Sequence, residues 1–421
     1  MFFLYRILTI LLYPIFVLVI YLRRFFNKED KIRFIEKISV NENNLPKNKK
    51  IIWIHVASIG EANSIMPLIE SILRENEEIF ILLTSTTLSS SQLIKKKTFK
   101  FKNFDHRFFC IDSYFLVNKF LNTWKPEMAV FVDSEVWPNY ILEISKRKIP
   151  LILLNGRITL KTYRKWKTIK YFSKKIFGCY DLCLSASSES ENHLKSLGAK
   201  NVKFIGNLKF SSSIQPSEEN NSFNSLFKEY FVWCAASTHP DEEKIILKAH
   251  QELKKHNVKV VTIIIPRHIL RCKNILSLTN ELGLGGQIIK DSNELKKISE
   301  IIIINSFGEM TKYFSFCNSI FMGKSLSKKL EKVGGQNPIE PAKCGCKIYH
   351  GPHVSNFREI YELLNQMKIS YEINNEQDLS NNLMGDYKNF SSFSKDKIKE
   401  LNAYGEKIHS ATKSKIMEFI K

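Results

Sequence analysis

Past residue 50 the chain alternates short, almost wholly apolar runs with stretches whose apolar residues recur at helical spacing. The first set of runs is "IIWIHVA", "IFILLTS", "MAVFVDS", "PLILLNG", "DLCLSAS" and "VKFIGN". After the polar, aperiodic stretch "SSSIQPSEENNSF" at residues 211–223, the alternation restarts with "YFVWCAAS", "KVVTIII", "EIIIINS", "NSIFMGK" and "CKIYHG". Runs that are apolar throughout, rather than at every second residue, mark strands covered on both faces, as in a parallel sheet flanked by helices. The pattern predicts two doubly wound α/β domains joined near residue 220. The length of 421 residues agrees, because a single hydrophobic core stops growing well before that size.

Ahead of these runs, "ILTILLYPIFVLVIYL" at residues 7–22 carries no charge, with Arg6 on one side and Arg23, Arg24, Lys28, Lys31 and Arg33 on the other. At ~1.5 Å per residue it falls a little short of a ~30 Å hydrocarbon layer, and a snorkelling Arg6 would let residues 1–5 complete the span. No small-residue cleavage site follows, which argues against a secretory signal. The basic cluster puts everything downstream on the cytoplasmic side. The expected organisation is a single N-terminal anchor helix at 1–25, a first domain at 26–215 and a second at 216–421. Pro14 is compatible with a segment that spans and with one that lies in the interface.

Composition is ordinary for a globular protein, at 44% hydrophobic and 25% charged residues, which excludes a disordered chain. The charge balance is not ordinary: a formal +21 points to an anionic partner, whether nucleic acid, an acidic membrane surface or a phosphorylated substrate. The run "LKTYRKWKTIKYFSKK" at 160–175 interleaves lysines and an arginine with Tyr163, Trp166, Tyr171 and Phe172. An RNA-binding helix has that look, but an anchor in the same chain favours anionic lipid, so membrane and not nucleic acid is the expected partner. The eight cysteines include no C-x-x-C pair and read as buried free thiols; Cys344 and Cys346 lack neighbours at metal-ligand spacing.

Open α/β sheets bind ligands at the carboxyl ends of their strands. The conspicuous polar clusters all sit there: Ser58 to Glu61, Asp133-Ser134-Glu135, Asn155 to Arg157, Gly206 to Lys209, Ser237 to His239, Pro266 to His268, and Gly323 to Ser325. Such clusters in both halves predict a central cleft between two facing domains. In the second half, "VGGQNPIEPAKCG" combines paired glycines with Pro338 in the first turn of a helix and Glu340 placed to accept two ribose hydroxyls. With "FMGKSL" and with Arg267 in "IIPRH", it describes a nucleotide phosphate pocket that matches neither the Walker nor the dinucleotide glycine fingerprint. In the first half, Glu61 and the Asp133/Glu135 pair are carboxylates from different strands, suited to proton abstraction and sugar-hydroxyl binding. Glu61 in the first turn of a helix also suits a plain cap. His239 and His268 sit at strand ends as ligand contacts, His55 lies within a strand as a core group, and His353 is undecided.

Taken in order, "WIHVASIGEANSIMPLI", "DSEVWPN", "LLNGRIT", "LGAKNVKFIGNLKF", "AASTHPDEE", "IIPRH", "FGEM", "GGQNPIEPA" and "GPHVSNF" resemble the 3-deoxy-D-manno-octulosonic acid (Kdo) transferases of lipid A assembly over essentially the whole chain. The resemblance implies a GT-B fold, with an N-terminal acceptor domain and a C-terminal domain for CMP-Kdo, which is a co-substrate; no cofactor or metal is implied. It implies inverting transfer of Kdo to the lipid A precursor lipid IVA. Glu61 would be the base, with Ser58, Gly60, Glu135 and Arg157 around the acceptor. Lys209 and Arg267 would hold the anionic donor, Ser325 and Asn337 its phosphate, Glu340 the ribose and the region of Gly308 and Met310 the cytosine, with Ser237, His239, His268 and Gly323 beside them. The chain departs from the family pattern at Lys324, where Gly-Gly-Ser is usual, at Gln336 before Asn-Pro, in the basic "SKKLEKV", and in "PRHILR", which lacks a second proline. Two other readings stay open: a GT-B enzyme using a different nucleotide sugar, and a non-catalytic anionic-lipid-binding protein.

Overall fold

A computed structural model describes residues 2–40, 46, 48–98, 101–212, 226–291, 294–295, 297–306, 310–388 and 394–420. The chain divides into two compact units, Met1–Ser212 with Tyr404–Lys421, and Ser213–Ala403. The final stretch therefore joins the first unit, where sequence had placed it with the second. Packing explains this: the Tyr404 ring meets Phe210 edge-on at 5.3 Å between centroids, and Lys413 Nζ donates to Ser71 Oγ at 2.7 Å.

The first unit holds a seven-stranded sheet in the order β3-β2-β1-β4-β5-β6-β7. Its strands are β1 (Lys50–Val56), β2 (Ile79–Ser85), β3 (Phe104–Phe108), β4 (Met128–Val132), β5 (Leu151–Gly156), β6 (Leu182–Ser185) and β7 (Val202–Phe204). Every pairing is parallel. Both faces are covered by helices, so β2, β4, β5 and β6 are buried along their whole length, as the unbroken apolar runs require. Trp53, Phe131, Tyr140 and Phe177 are fully buried at the centre of this core.

The second unit repeats the plan, in the order β10-β11-β9-β8-β12-β13-β14. These strands are β8 (Phe231–Thr238), β9 (Val260–Pro266), β10 (Gly286–Ile289), β11 (Ile301–Ile304), β12 (Ser319–Met322), β13 (Lys347–His350) and β14 (Ser370–Glu372). Again all pairings are parallel. In each unit the chain winds outward from its first strand and then returns to that strand's other side. The winding reverses between β1 and β4 in the first sheet and between β8 and β12 in the second. A doubly wound sheet leaves a crevice at such a point.

The N-terminal segment departs from expectation. In place of the single expected helix there are two, Phe2–Leu11 and Tyr13–Phe25, bent by 48°, and no single described helix is long and apolar enough to cross a membrane. Pro14 stands in the first turn of the second helix, where its missing N–H costs little. Arg6 does not snorkel: it pairs with the buried Glu143 at 2.5 Å and lies over the Tyr114 ring at 4.3 Å. Tyr5 donates to Asp112 at 2.8 Å, and Phe2 stacks on Phe172. The first helix is thus docked on the first unit, and its outer face leaves Phe3, Leu4 and Leu11 exposed.

Candidate functional site

At the switch point of the first sheet, β1 runs into the helix Ile59–Glu75 through Ala57 and Ser58. Ser58 caps the helix, its Oγ accepting the Glu61 N–H at 3.3 Å and donating to Glu61 Oε1 at 2.8 Å; Glu61 Oε2 accepts the Ala57 N–H at 2.7 Å. This Ser-x-x-Glu arrangement is a capping box. A plain cap would sit in water, whereas Glu61 is only 9% exposed, tucked under the exposed turn Ser58–Gly60. Burial, with Asp133 and Glu135 nearby, pushes its carboxyl up to about 7 against the pull of the Ala57 and Ser58 donors. Gly60 leaves open space beside it: an added Cβ would meet nothing closer than Ser58 Oγ at 3.9 Å.

Across the switch point, β4 ends at Asp133, which is held in the left-handed region at φ 64°. Burial raises the Asp133 carboxyl while Lys209 and Arg157 oppose the rise, so two cations and three carboxylates gather at the carboxyl ends of the strands. Lys209 is delivered by β5: Asn155, at φ 54°, accepts the Leu208 N–H at 2.8 Å, and Asn207 caps the Lys209 N–H at 3.0 Å. Glu135 accepts Trp137 Nε1–H at 2.7 Å and stands 3.4 Å from His55 Nε2. His55 is buried in β1, stacked on Phe109, with Nδ1 3.0 Å from the Thr84 hydroxyl. Desolvation keeps that ring neutral, with Nε2–H facing Glu135 when Thr84 donates to Nδ1. Burial acting alone would raise Glu135, but His55 and Trp137 outweigh it and hold the carboxyl below its ordinary value. His55 is therefore both a core residue and a carboxylate partner.

At the switch point of the second sheet, β8 ends in Ser237, Thr238 and His239, and β12 in Gly323, Lys324 and Ser325. The two ends touch: a Cβ on Gly323 would fall 2.5 Å from the Ser237 carbonyl oxygen, so only glycine fits. Ser237 and Lys324 both adopt positive φ, 55° and 62°. His239 donates Nδ1–H to the Ser237 carbonyl at 3.0 Å, and its ring lies 6.0 Å from that of His268. Burial, then Lys324 and His268, hold His239 below its ordinary value, which leaves Nε2 as an acceptor. Ser237 Oγ contacts Met310 Sδ at 3.7 Å, and Asn337 Oδ1 accepts the Ile339 N–H at 3.3 Å.

Comparison with known proteins agrees with this plan. A family model described as 3-deoxy-D-manno-octulosonic-acid transferase matches residues 30–212. A 3-deoxy-D-manno-octulosonic acid transferase of Rickettsia bellii is 33% identical over 90% of this chain and 89% of its own length. The chain belongs to the Kdo transferase family. A Kdo transferase of Haemophilus influenzae is 28% identical over 78% of this chain and 76% of its own length. Among solved structures, UDP-GlcNAc 2-epimerase from Neisseria meningitidis superposes with a TM-score of 0.59 at 11% identity, covering 88% of this chain and 99% of that one. A glycosyltransferase from Rickettsia africae does so at 0.53 and 10%, covering 89% and 95%. This Kdo transferase is a glycosyltransferase, and its two doubly wound units have the GT-B fold.

The expected donor contacts of the Kdo transferase are differently placed. Lys209, expected on the donor, lies in the first unit beside Asp133. The Ser325 side chain, expected on phosphate, is fully buried; its hydroxyl donates to the Met322 carbonyl at 2.7 Å and accepts the Gly351 N–H at 2.9 Å. Arg267 and His268 are exposed, and Gly308 lies outside the described residues. The helix following Pro338 is a single short piece, Ile339–Lys343, with Glu340 in its first turn. In the basic run all seven cationic side chains point outward, but Trp166 stacks parallel to Phe172 and Tyr163 on His193, so most of the aromatics serve packing.

Sequence reasoning missed Glu242. Its carboxylate accepts four backbone N–H groups, from His239 and Lys324 on Oε2 and from Ser325 and Leu326 on Oε1, at 2.8–3.1 Å. It ties the ends of β8 and β12 together. The visible signal was an acid following Thr-His-Pro-Asp at a helix start, which reads equally as dipole complementation.

Proposed function

We propose that this Kdo transferase takes Kdo from CMP-Kdo and places it on a hydroxyl of lipid IVA, the lipid A precursor, at the cytoplasmic face of the inner membrane. The observation that carries the reading is Glu61, a carboxyl held near neutrality at the switch-point end of β1, next to the space left by Gly60. A base of that strength ionises at working pH yet still binds a proton in the transition state.

The reaction is a single inverting displacement. Glu61 removes the acceptor hydroxyl proton as that oxygen attacks the anomeric carbon, and the bond from that carbon to the CMP phosphate breaks, its electron pair leaving with CMP. The anomeric carbon gains positive character while CMP takes negative charge. Arg267 of the second unit offsets the second of these without a metal, while Lys209 stays beside Asp133 in the first. Glu135, with Ser58 and Arg157, holds the acceptor; Glu340 accepts the ribose hydroxyls, and Asn337 and His239 flank the phosphate.

The membrane part of the reading is supported by the exposed apolar side chains of the N-terminal helix pair, among them Phe3, Leu4, Leu18, Phe25 and Phe26, and by the outward lysines of residues 161–175. An apolar face with cations beside it suits an anionic lipid surface. The test is incubation of the purified protein with lipid IVA and CMP-Kdo generated in situ, followed by mass spectrometry. Kdo-modified lipid is expected; unmodified lipid from well-folded protein, or product formed equally by a Glu61→Gln variant, rejects the reading.

A further inference from the structure

The loop after β12 looks at first like an oxyanion cradle, with Gly323, Lys324 and Ser325 at a strand end, but its backbone is already spoken for. Glu242 takes the N–H groups of Lys324, Ser325 and Leu326, and the Ser325 hydroxyl is bonded within the loop. A ligand anion finds none of those donors vacant. The polar group left on this loop at the switch point is the Lys324 ammonium. The lysine is half-buried, and among the described residues no carboxylate lies within ion-pair distance of its Nζ. The neighbouring His239 ring carries no negative charge in either protonation state and cannot offset it.

The backbone at this lysine is strained and locked. At φ 62° its Cβ sits where L side chains rarely go, and a glycine would sit there freely. The conformation is imposed from both sides: Glu242 holds the Lys324 N–H, and the Lys324 carbonyl accepts the Gly335 N–H at 2.7 Å. Strain kept in place by surrounding bonds, and carrying a cation with no carboxylate partner among the described residues, is the pattern of a binding group.

We propose that Lys324 is a direct contact of the donor's phosphate, supplying from its side chain the positive charge that the loop's own N–H groups do not provide. The inference rests on the nucleotide-sugar reading given above. Lys328 and Lys329 do not substitute for it, because both are exposed on the turn beyond.

Full-length protein and its Lys324→Gly, Lys324→Gln and Lys324→Arg variants are titrated with CMP and with cytidine, and their melting temperatures are measured. One charge-assisted bond corresponds to about tenfold or more in affinity. The Gly and Gln variants should lose that much affinity for CMP while binding cytidine as wild type does, and the Arg variant should retain CMP. The Gly variant should also melt above wild type, since its backbone is relaxed. Wild-type affinity for CMP in both the Gly and Gln variants overturns the proposal, as does an equal loss of cytidine and CMP, which marks a structural role. Wild-type protein that binds neither ligand rejects the nucleotide-sugar reading itself, and this proposal with it.

Discussion

His55 Nε2 lies 3.4 Å from Glu135 Oε2, linking β1 to the loop that follows β4 across the switch point of the first sheet. The contact places a buried neutral ring behind a carboxylate that Trp137 holds from another side. Glu135 is thereby kept ionised close to Glu61, and its charge helps keep the Glu61 carboxyl high. Two neighbouring acids with opposite shifts are how a site keeps one carboxylate as a fixed charge and the other as a proton carrier.

Replacing His55 by Phe should let burial raise the Glu135 carboxyl. Turnover is then expected to fall by about tenfold at pH 6 and by less at pH 8, where Glu135 ionises regardless. Paired pH profiles of variant and wild type check this, and a uniform loss at both pH values would show that His55 acts only through packing.

The pH profile of the wild-type enzyme follows from Glu61. The base must be ionised to act, so kcat/KM should rise about tenfold per pH unit below pH 7 and flatten above it, tracking a carboxyl at about 7. A profile flat from pH 5 to 8 would remove Glu61 from the proton transfer.

Glu61→Gln separates catalysis from stability. Loss of the base should lower kcat by about 10²–10⁴-fold. Stability should move the other way. A carboxyl raised in the folded state from 4.5 to about 7 contributes fully below pH 4.5, and that contribution is lost as pH rises to 7. Above pH 7 the buried charge costs up to about 3 kcal/mol, of which the weakened Ala57 and Ser58 bonds return about 1. The variant should therefore melt above wild type at pH 8 and close to it at pH 5, measured by thermal unfolding.

Glu242→Gln puts an NH₂ group against backbone donors that now face a carboxylate oxygen. Unsatisfied buried donors cost about 1–3 kcal/mol each, so the melting temperature should fall by several degrees. CMP affinity should weaken with it, because the ends of β8 and β12 lose their common tie. An unchanged melting curve would show that the four bonds are dispensable.

The sheets were readable because their central strands are buried on both faces and leave unbroken apolar runs. The strands that escaped reading are β3, β10 and β14, all at sheet edges. Their sequences, "FDHRF", "GQII" and "SYE", are short or polar because one side of the ladder is open. The strand-end carboxylates were legible by position, but their inequality was not: which acid is raised and which lowered depends on His55 and Trp137, brought in by a neighbouring strand and a loop. The apolar N-terminus showed its hydrophobicity but not its break, which follows from Tyr5, Arg6 and Thr9 finding polar partners more than a hundred residues away.

Because the chain leaves the first unit at residue 212 and re-enters it at Tyr404, the second unit is an insertion in the first. Gly206, at φ 109°, is covered by Ile408 and Tyr404 so closely that a methyl there would sit 2.8 Å from Ile408. A polypeptide cut at the connector would lack this cover over the turn that delivers Lys209, and would not be a self-sufficient piece. Isolating the first unit intact calls for splicing residues 404–421 back on with a short tether in place of everything between.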